Sequence, residues 1–324
     1  MRPHMACIYS LTFMNTARDT VNALLELCPY DGASGSLKSL AIDDCQSPGY
    51  APSMQQPTVY PQGLLHLQLR RTRITFEQLA TALSSSELLQ TLRFRSMIIL
   101  PGMVATISLP RLQMLDVIDL EPRGLLFLLF ALFPGRLELD LRLSLDRLSP
   151  QGITDVIGPF CKRANVASLN LSNSASVPSA KFTLLLSFVP LIRVLVLKDL
   201  SDYFESLDSV TVAVHGGHVA WCPKLRTLCL IGNGKMSRDA VVRVKRVVES
   251  YKLGTIILDD CKLASNIGDD PNYSKDTQKN IKADFWECLS NRVKTIITYE
   301  YVLGYGDSNE DLYVRRLIEE SQEA

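Results

Sequence analysis

The sequence predicts an α/β solenoid, a horseshoe-like array with a parallel sheet lining its concave side and helices outside. Three observations predict it: a short apolar template recurs at near-even spacing, helix-start signals fall between its copies, and 47% of the 324 residues are hydrophobic. Units of such an array cannot bury their apolar faces alone, so they stack into one continuous core.

The template is apolar-x-x-apolar-x-apolar. It fits Leu37-Leu40-Ile42, Leu64-Leu67-Leu69, Leu89-Leu92-Phe94, Leu112-Leu115-Val117, Val166-Leu169-Leu171, Ile192-Leu195-Leu197, Leu225-Leu228-Leu230 and Leu253-Ile256-Leu258. Arg136-Leu139-Leu141 is a degenerate copy and Val293-Ile296-Thr298 a further possible one. The first positions stand 23 to 40 residues apart, and three of the intervals are long enough to hold insertions. Leucine-rich repeats recur every 20–29 residues or so, which identifies the array as a solenoid of that type with about nine or ten irregular repeats. Their longer pattern adds Asn or Cys at the ninth position and an apolar residue at the eleventh. Leu253 to Leu263 satisfies all of it through Cys261; Cys45 and Asn233 also fall at position nine, and Ile74 and Ile99 at position eleven. A small thiol or an amide there fits the inward turn after the strand and can bond its backbone.

Between the strands, Thr75 and Gln78 form a capping box ahead of Leu79 and Leu83. Ser149-Pro150 reads as an N-cap and first helical residue before Ile153, Val156 and Ile157, and Ser237 caps a helix over Arg238 to Ser250. The apolar run Leu125 to Phe133 reads as a buried core helix. The organisation expected is an N-terminal helical cap over 1–36, with a helix from Thr20 to Leu27, the solenoid over 37–300, and an acidic tail over 301–324. Pro48 to Gln62, with four prolines, is a long loop within the array, and Ser201 to Ala220 a second irregular stretch.

Composition narrows the function. Lys+Arg and Asp+Glu balance at 34 each, so the chain lacks the basic excess of a general nucleic-acid binder, and Arg70-Arg71-Thr72-Arg73 reads as a solvated loop. The nine apolar residues from Leu125 to Phe133 fall well short of a membrane span, and the first fifteen residues lack a secretory pattern. The expected setting is intracellular, cytoplasmic or nuclear. There the eight dispersed cysteines, none in a C-x-x-C pair, stay reduced; in a secreted chain they could pair.

No catalytic residue, cofactor or metal is expected. His215-Gly216-Gly217-His218, with Cys222 nearby, has possible ligand spacing but reads as a flexible loop. Ile231-Gly232-Asn233-Gly234-Lys235 lacks the glycine spacing of a phosphate-binding loop.

Trp221-Cys222-Pro223-Lys224-Leu225-Arg226-Thr227-Leu228-Cys229-Leu230, followed by a Ser-capped helix, resembles the C-P-x-L-x-x-L-x-L repeat of F-box proteins. Leu109 to Leu115 and Leu253 to Leu263 have the same character. The similarity covers about residues 37–300 and looks closest to fungal F-box proteins. It implies a substrate-holding solenoid attached to a cullin ubiquitin ligase through a Skp adaptor. Residues 1–36 show no recognisable F-box, so a Skp-type adaptor is expected only if one lies upstream.

Side chains alternate along a strand, so residues between the template positions face the concave side. Arg93, Asp116, Glu138, Asp140, Asn170, Arg193 and Arg226 are the candidate partner-binding residues there, read as an acidic middle flanked by arginines. A protein substrate of complementary charge is the expected partner, with no nucleic acid and no membrane. The other reading is a structural or regulatory repeat protein unconnected with ubiquitin.

Overall fold

A computed structural model describes residues 8–16, 18–26, 37–43, 61, 63–103, 105–144, 149–172, 179–200, 207–208, 210–214, 217–263 and 275–299. The chain is a mixed α/β protein whose main sheet is parallel and has 11 strands. It divides into two compact units, Met1–Val166 and Ala167–Ala324.

The first unit runs β1 (Ser10–Met14), α1 (Arg18–Glu26), β2 (Ser39–Asp43), β3 (His66–Arg70), β4 (Arg73–Thr75), α2 (Phe76–Ser84), β5 (Thr91–Arg95), β6 (Ile98–Leu100), β7 (Ile107–Leu109), β8 (Met114–Ile118), α3 (Pro122–Ala131), β9 (Leu132–Pro134), β10 (Glu138–Ser144), α4 (Pro150–Gly152), a π turn (Ile153–Ile157) and α5 (Gly158–Arg163). Its main-sheet order is β1-β2-β3-β5-β8-β10. The template residues line the core: Leu67, Leu92, Phe94, Leu115, Leu139 and Leu141 are each no more than 1% exposed. Burying one such side chain contributes about 1.5–3 kcal/mol.

β1 joins β2 in parallel register, Leu11 against Leu40 and Phe13 against Ile42. Ile8-Leu11-Phe13 fits the same template, so the strand array starts inside the segment expected to be a helical cap; α1 follows β1 there.

Four strands, β1, β3, β5 and β8, leave the sheet in the same way. The non-glycine residues with positive φ among those described, Asn15, Arg71, Ser96 and Asp119, have φ of 49° to 55°. Each follows directly on Met14, Arg70, Arg95 or Ile118, which share one register row through Asp43. Their amides extend the ladder: Asn15 N donates to Asp43 O, Arg71 N to Arg95 O and Ser96 N to Ile118 O, at 3.0–3.2 Å. A left-handed residue bends the chain out of the sheet, and placing it at one row makes these four exits turn alike.

The caps form as the sequence requires. Thr75 Oγ1 accepts from Gln78 N, and Thr75 N donates to Gln78 Oε1. Ser149 Oγ accepts from Gly152 N at 3.1 Å. Leu125, Leu128 and Leu129 of α3 are buried, but Phe130, within the helix, and Phe133, in β9 beyond its end at Ala131, are exposed, so the run is only partly a buried helix. Beyond the turn, a Cβ at Gly135 would lie 2.0 Å from Pro110 O, so this close approach admits only glycine. Two small parallel pairs, β4 with β6 and β7 with β9, flank the main sheet. β4 carries Ile74 and β6 carries Ile99, the eleventh-position residues.

The second unit contains β11 (Asn165–Ser172), which starts at the boundary, then α6 (Ser179–Ser187), β12 (Val194–Leu200), β13 (Thr211–Val214), β14 (Gly217–Ala220), β15 (Thr227–Met236), α7 (Arg238–Ser250), β16 (Thr255–Leu263), α8 (Lys275–Arg292) and β17 (Thr295–Tyr299). β11-β12-β15-β16-β17 are neighbours in that order. Leu195, Leu228, Leu230 and Ile256 are fully buried. Ser237 caps α7, its hydroxyl accepting from Ala240 N at 3.2 Å. The stretch expected to be irregular contains a hairpin, β13 antiparallel to β14. At its base, the Tyr251 hydroxyl donates to Val210 O at 2.6 Å and accepts from Cys222 N at 3.4 Å. Cys261 lies within 3.3 Å of Leu230 O and 3.2 Å of Asp259 O. The ninth-position thiol therefore meets backbone carbonyls of its own and the neighbouring strand. Cys45, His215, the proline-rich loop apart from Pro61, and the acidic tail lie outside the described residues.

Candidate interaction face

The two sides of a strand are separated by alternation. In the first unit, residues that alternate with the core leucines form a second face of the sheet. Its middle row reads Thr12, Ala41, Gln68, Arg93, Asp116, Arg142 through successive register pairs. The next row reads Met14, Asp43, Arg70, Arg95, Ile118. Neighbouring members of a row stand about 4.8 Å apart, the spacing between strands.

Acid and base interleave on this face. Arg95 Nη2 lies 3.1 Å from Asp116 Oδ2, and the Asp116 side chain is 0% exposed. Both Nε and Nη2 of Arg142 donate to Asp140 Oδ2 at 3.0 Å, the arginine being 4% exposed. Arg71 Nε donates to Asp43 Oδ1 at 2.9 Å. Arg93 brings Nη2 to 3.5 Å from Met114 Sδ. The expected acidic middle is therefore corrected: each central aspartate is compensated by an arginine of its own or a neighbouring strand. A carboxylate taken out of water needs such a partner, or its desolvation would oppose folding.

Of the predicted residues, Arg93, Asp116, Glu138 and Asp140 meet on this one face. Asp116 is fully covered, Arg93 and Asp140 are half-buried, and Glu138 is exposed. Asn170 takes the corresponding face of β11, pairs with Val196 in register, and is buried at 4%. Arg193 and Arg226 do not lie in the row. Each precedes its strand, exposed at the strand entry, and Arg226 N donates to Arg193 O at 2.9 Å. Reading Gln68-x-Arg70, Arg93-x-Arg95 and Asp140-x-Arg142 at a period of two would have added Arg70, Arg95 and Arg142 to the face.

In the second unit, the same face is built around an apolar cluster, with Asn170, Thr227, Thr255 and Asp259 among its buried polar members. Val194, Val196, Cys229, Ile231 and Ile257 form a buried cluster, and Ile297 packs against it. Burial disfavours the thiolate, so the Cys229 thiol is pushed well above its usual range, and nearby Asp259 adds to the effect. The cluster has no nucleophile in an ionisable state, and its chemistry is packing.

Among the described residues, no helix is long and apolar enough to cross a membrane. A scan against known protein families matches no model, and a search of curated proteins finds no match. Fold and face thus define a mixed α/β protein with a stacked parallel sheet, bearing one charged and one largely apolar second face.

Proposed function

We propose that this chain is a leucine-rich-repeat interaction scaffold, a substrate-receptor-like relative of F-box proteins. In this reading the sheet lines the concave side, and the second face of residues 1–166 holds a protein partner. The observation that supports it most is the register of that face. Stacked strands at fixed spacing present Gln68, Arg70, Arg93 and Glu138 as an ordered, partly exposed charged surface, with buried ion pairs fixing the arginines beside them. Such a surface selects partners by charge complementarity. The proposal assigns the chain no catalysis and no cofactor.

Two measurements test it. The affinity-tagged intact chain and its Glu138→Lys variant are compared for partners retained; a partner held by the wild type and lost by the variant supports the face, and equal retention overturns it. Purified Skp adaptor is then titrated against the intact chain. Binding supports the ligase connection, and no binding by the folded protein leaves the alternative, a scaffold unconnected with ubiquitin.

A further inference from the structure

The ends of the strands in the second unit carry a charge pattern that the face does not use. Arg193, Arg226, Gly254 and Lys294 occupy one position across β12, β15, β16 and β17, each directly before the paired residues Val194, Thr227, Thr255 and Thr295. The backbone ties them together: Arg226 N donates to Arg193 O, Gly254 N to Arg226 O, and Thr295 N to Gly254 O, at 2.8–3.0 Å. Two residues earlier in three of these entries stand Lys224, Lys252 and Arg292. All six cations are exposed.

The strand-entry segments themselves supply no acid. The entry segments 190–194, 221–226, 250–254 and 290–294 contain no Asp or Glu. Among the described residues, Lys224, Arg226, Lys252, Arg292 and Lys294 form no ion pair, in contrast to Arg243, Arg246 and Lys245 on α7, which pair with Asp208 and Asp284. The C-terminal ends of α7 and α8 favour a cation at Lys252 and Arg292. That effect fades within a turn; it extends to Lys294, two residues past α8, but does not reach Lys224 or Arg226, which follow no helix.

We propose that this strand-entry edge is a docking site for an acidic, extended segment of a partner protein. Strands set neighbouring cations about 4.8 Å apart, a spacing over which carboxylates of an extended peptide can engage successive strands. Leu191, 52% exposed at the same edge, offers an apolar contact beside Arg193. A nucleic acid fits less well. Single-strand binders stack bases on exposed aromatic rings, whereas the aromatic residues of these segments, Trp221 and Tyr251, are half-buried and buried. The chain's charge balance of 34 against 34 also lacks the general basic excess of such proteins.

This inference deepens the scaffold reading by naming the partner's chemistry at a second surface, and it rests on that reading. A short fluorescein-labelled Glu-rich peptide with a central Leu is titrated against the intact chain, beside its Gln counterpart and single-stranded RNA of equal charge. The Glu peptide binds, weakens as salt rises, and loses about tenfold or more in affinity with Lys224→Glu/Arg226→Glu/Lys294→Glu. The neutral variant Lys224→Gln/Arg226→Gln/Lys294→Gln, with an unchanged melting temperature, gives a smaller loss and separates charge from misfolding. Equal binding of Glu and Gln peptides, indifference to both variants, or tighter binding of RNA would overturn the assignment. Because Glu138 lies in the other unit, loss of this site leaves the partner test there standing, and the two failures are distinguishable.

Discussion

On the second face of the sheet, the middle row of residues 1–166 reads Thr12, Ala41, Gln68, Arg93, Asp116, Arg142, while that of residues 167–299 reads Asn170, Val196, Cys229, Ile257, Ile297. The opposite rows barely differ: leucine, isoleucine, valine and phenylalanine fill both. Stacking constrains only the core rows, so the second face is free to diverge in composition. Strand length differs as well, though not strictly with the face. β1, β2, β3, β5 and β8 have five residues each and β10 has seven, and the described left-handed exits all lie in this unit. β12, β15 and β16 run to 7, 10 and 9 residues. Strands buried on both faces behave as interior strands, which read as continuous apolar runs.

The largest effect comes from breaking the charged row at its most covered point. Asp116→Ala leaves Arg95 without its carboxylate inside a covered network and destabilises the first unit by about 3–5 kcal/mol. A chain with two compact units need not unfold in one step, so local reporters serve better than one melting curve. Burial pushes the Cys161 thiol up to about 12, and Cys229 is raised further. Both stay neutral and unreactive at pH 8 until their surroundings open. In Asp116→Ala, alkylation of Cys161 in urea should begin at lower denaturant while Cys229 stays protected. Cys229 reacting first would show that the charged row is not what holds the first unit.

The converse variant is Ile257→Ala. It removes the centre of the apolar cluster at a fully buried position, costs about 2–5 kcal/mol, and should expose Cys229 before Cys161. The same thiols give a pH dependence. A thiol whose folded pKa lies above its unfolded 9.0 contributes stability that is present below pH 9 and lost as the pH rises toward 12. Alkaline destabilisation should therefore be milder in Cys222→Ala than in the wild type between pH 9 and 11.

Much of this organisation was legible in the sequence. Periodicity places Leu67, Leu92, Leu115, Leu195 and Ile256 in the core, and local hydrogen-bonding chemistry places the caps at Thr75, Ser149 and Ser237. Ile8-Leu11-Phe13 carried the signal for β1, but a single copy ahead of the array is easily passed over. The left-handed exits were not legible, because Asn, Arg, Ser and Asp share no side-chain pattern and the row exists only through register. The site was half legible. Alternation gives the face of Arg93, Glu138 and Asp140, whereas the Asp116–Arg95 pair joins different strands and depends on how they align. Arg193 and Arg226 were assigned to the row because the template does not say where the strand begins.

Ser237→Ala is a smaller perturbation. It removes the hydroxyl that accepts from Ala240 N and should cost about 1 kcal/mol, read as earlier alkylation of Cys229 with Cys161 unchanged. A larger loss would mean that α7 is held chiefly by its first turn rather than by buried Val241, Val244 and Val248.

The smallest stability effect and the most specific functional one belong to Glu138→Lys. Glu138 is exposed at the start of β10, so its reversal should change stability by no more than about 0.5 kcal/mol. Asp140→Lys, two residues on and on the same face, replaces the carboxylate that receives both bonds from Arg142. It should lower the melting temperature by several degrees, because a buried guanidinium then faces a second cation. Charge complementarity predicts that both variants lose the partner, so only Glu138→Lys separates recognition from folding. If the two lower the melting temperature equally, Glu138 belongs to the ion-pair network and the face has no surface charge to spare at β10. If Glu138→Lys keeps both its stability and its partner, recognition lies elsewhere, and the strand-entry cations of the second unit become the surface to test.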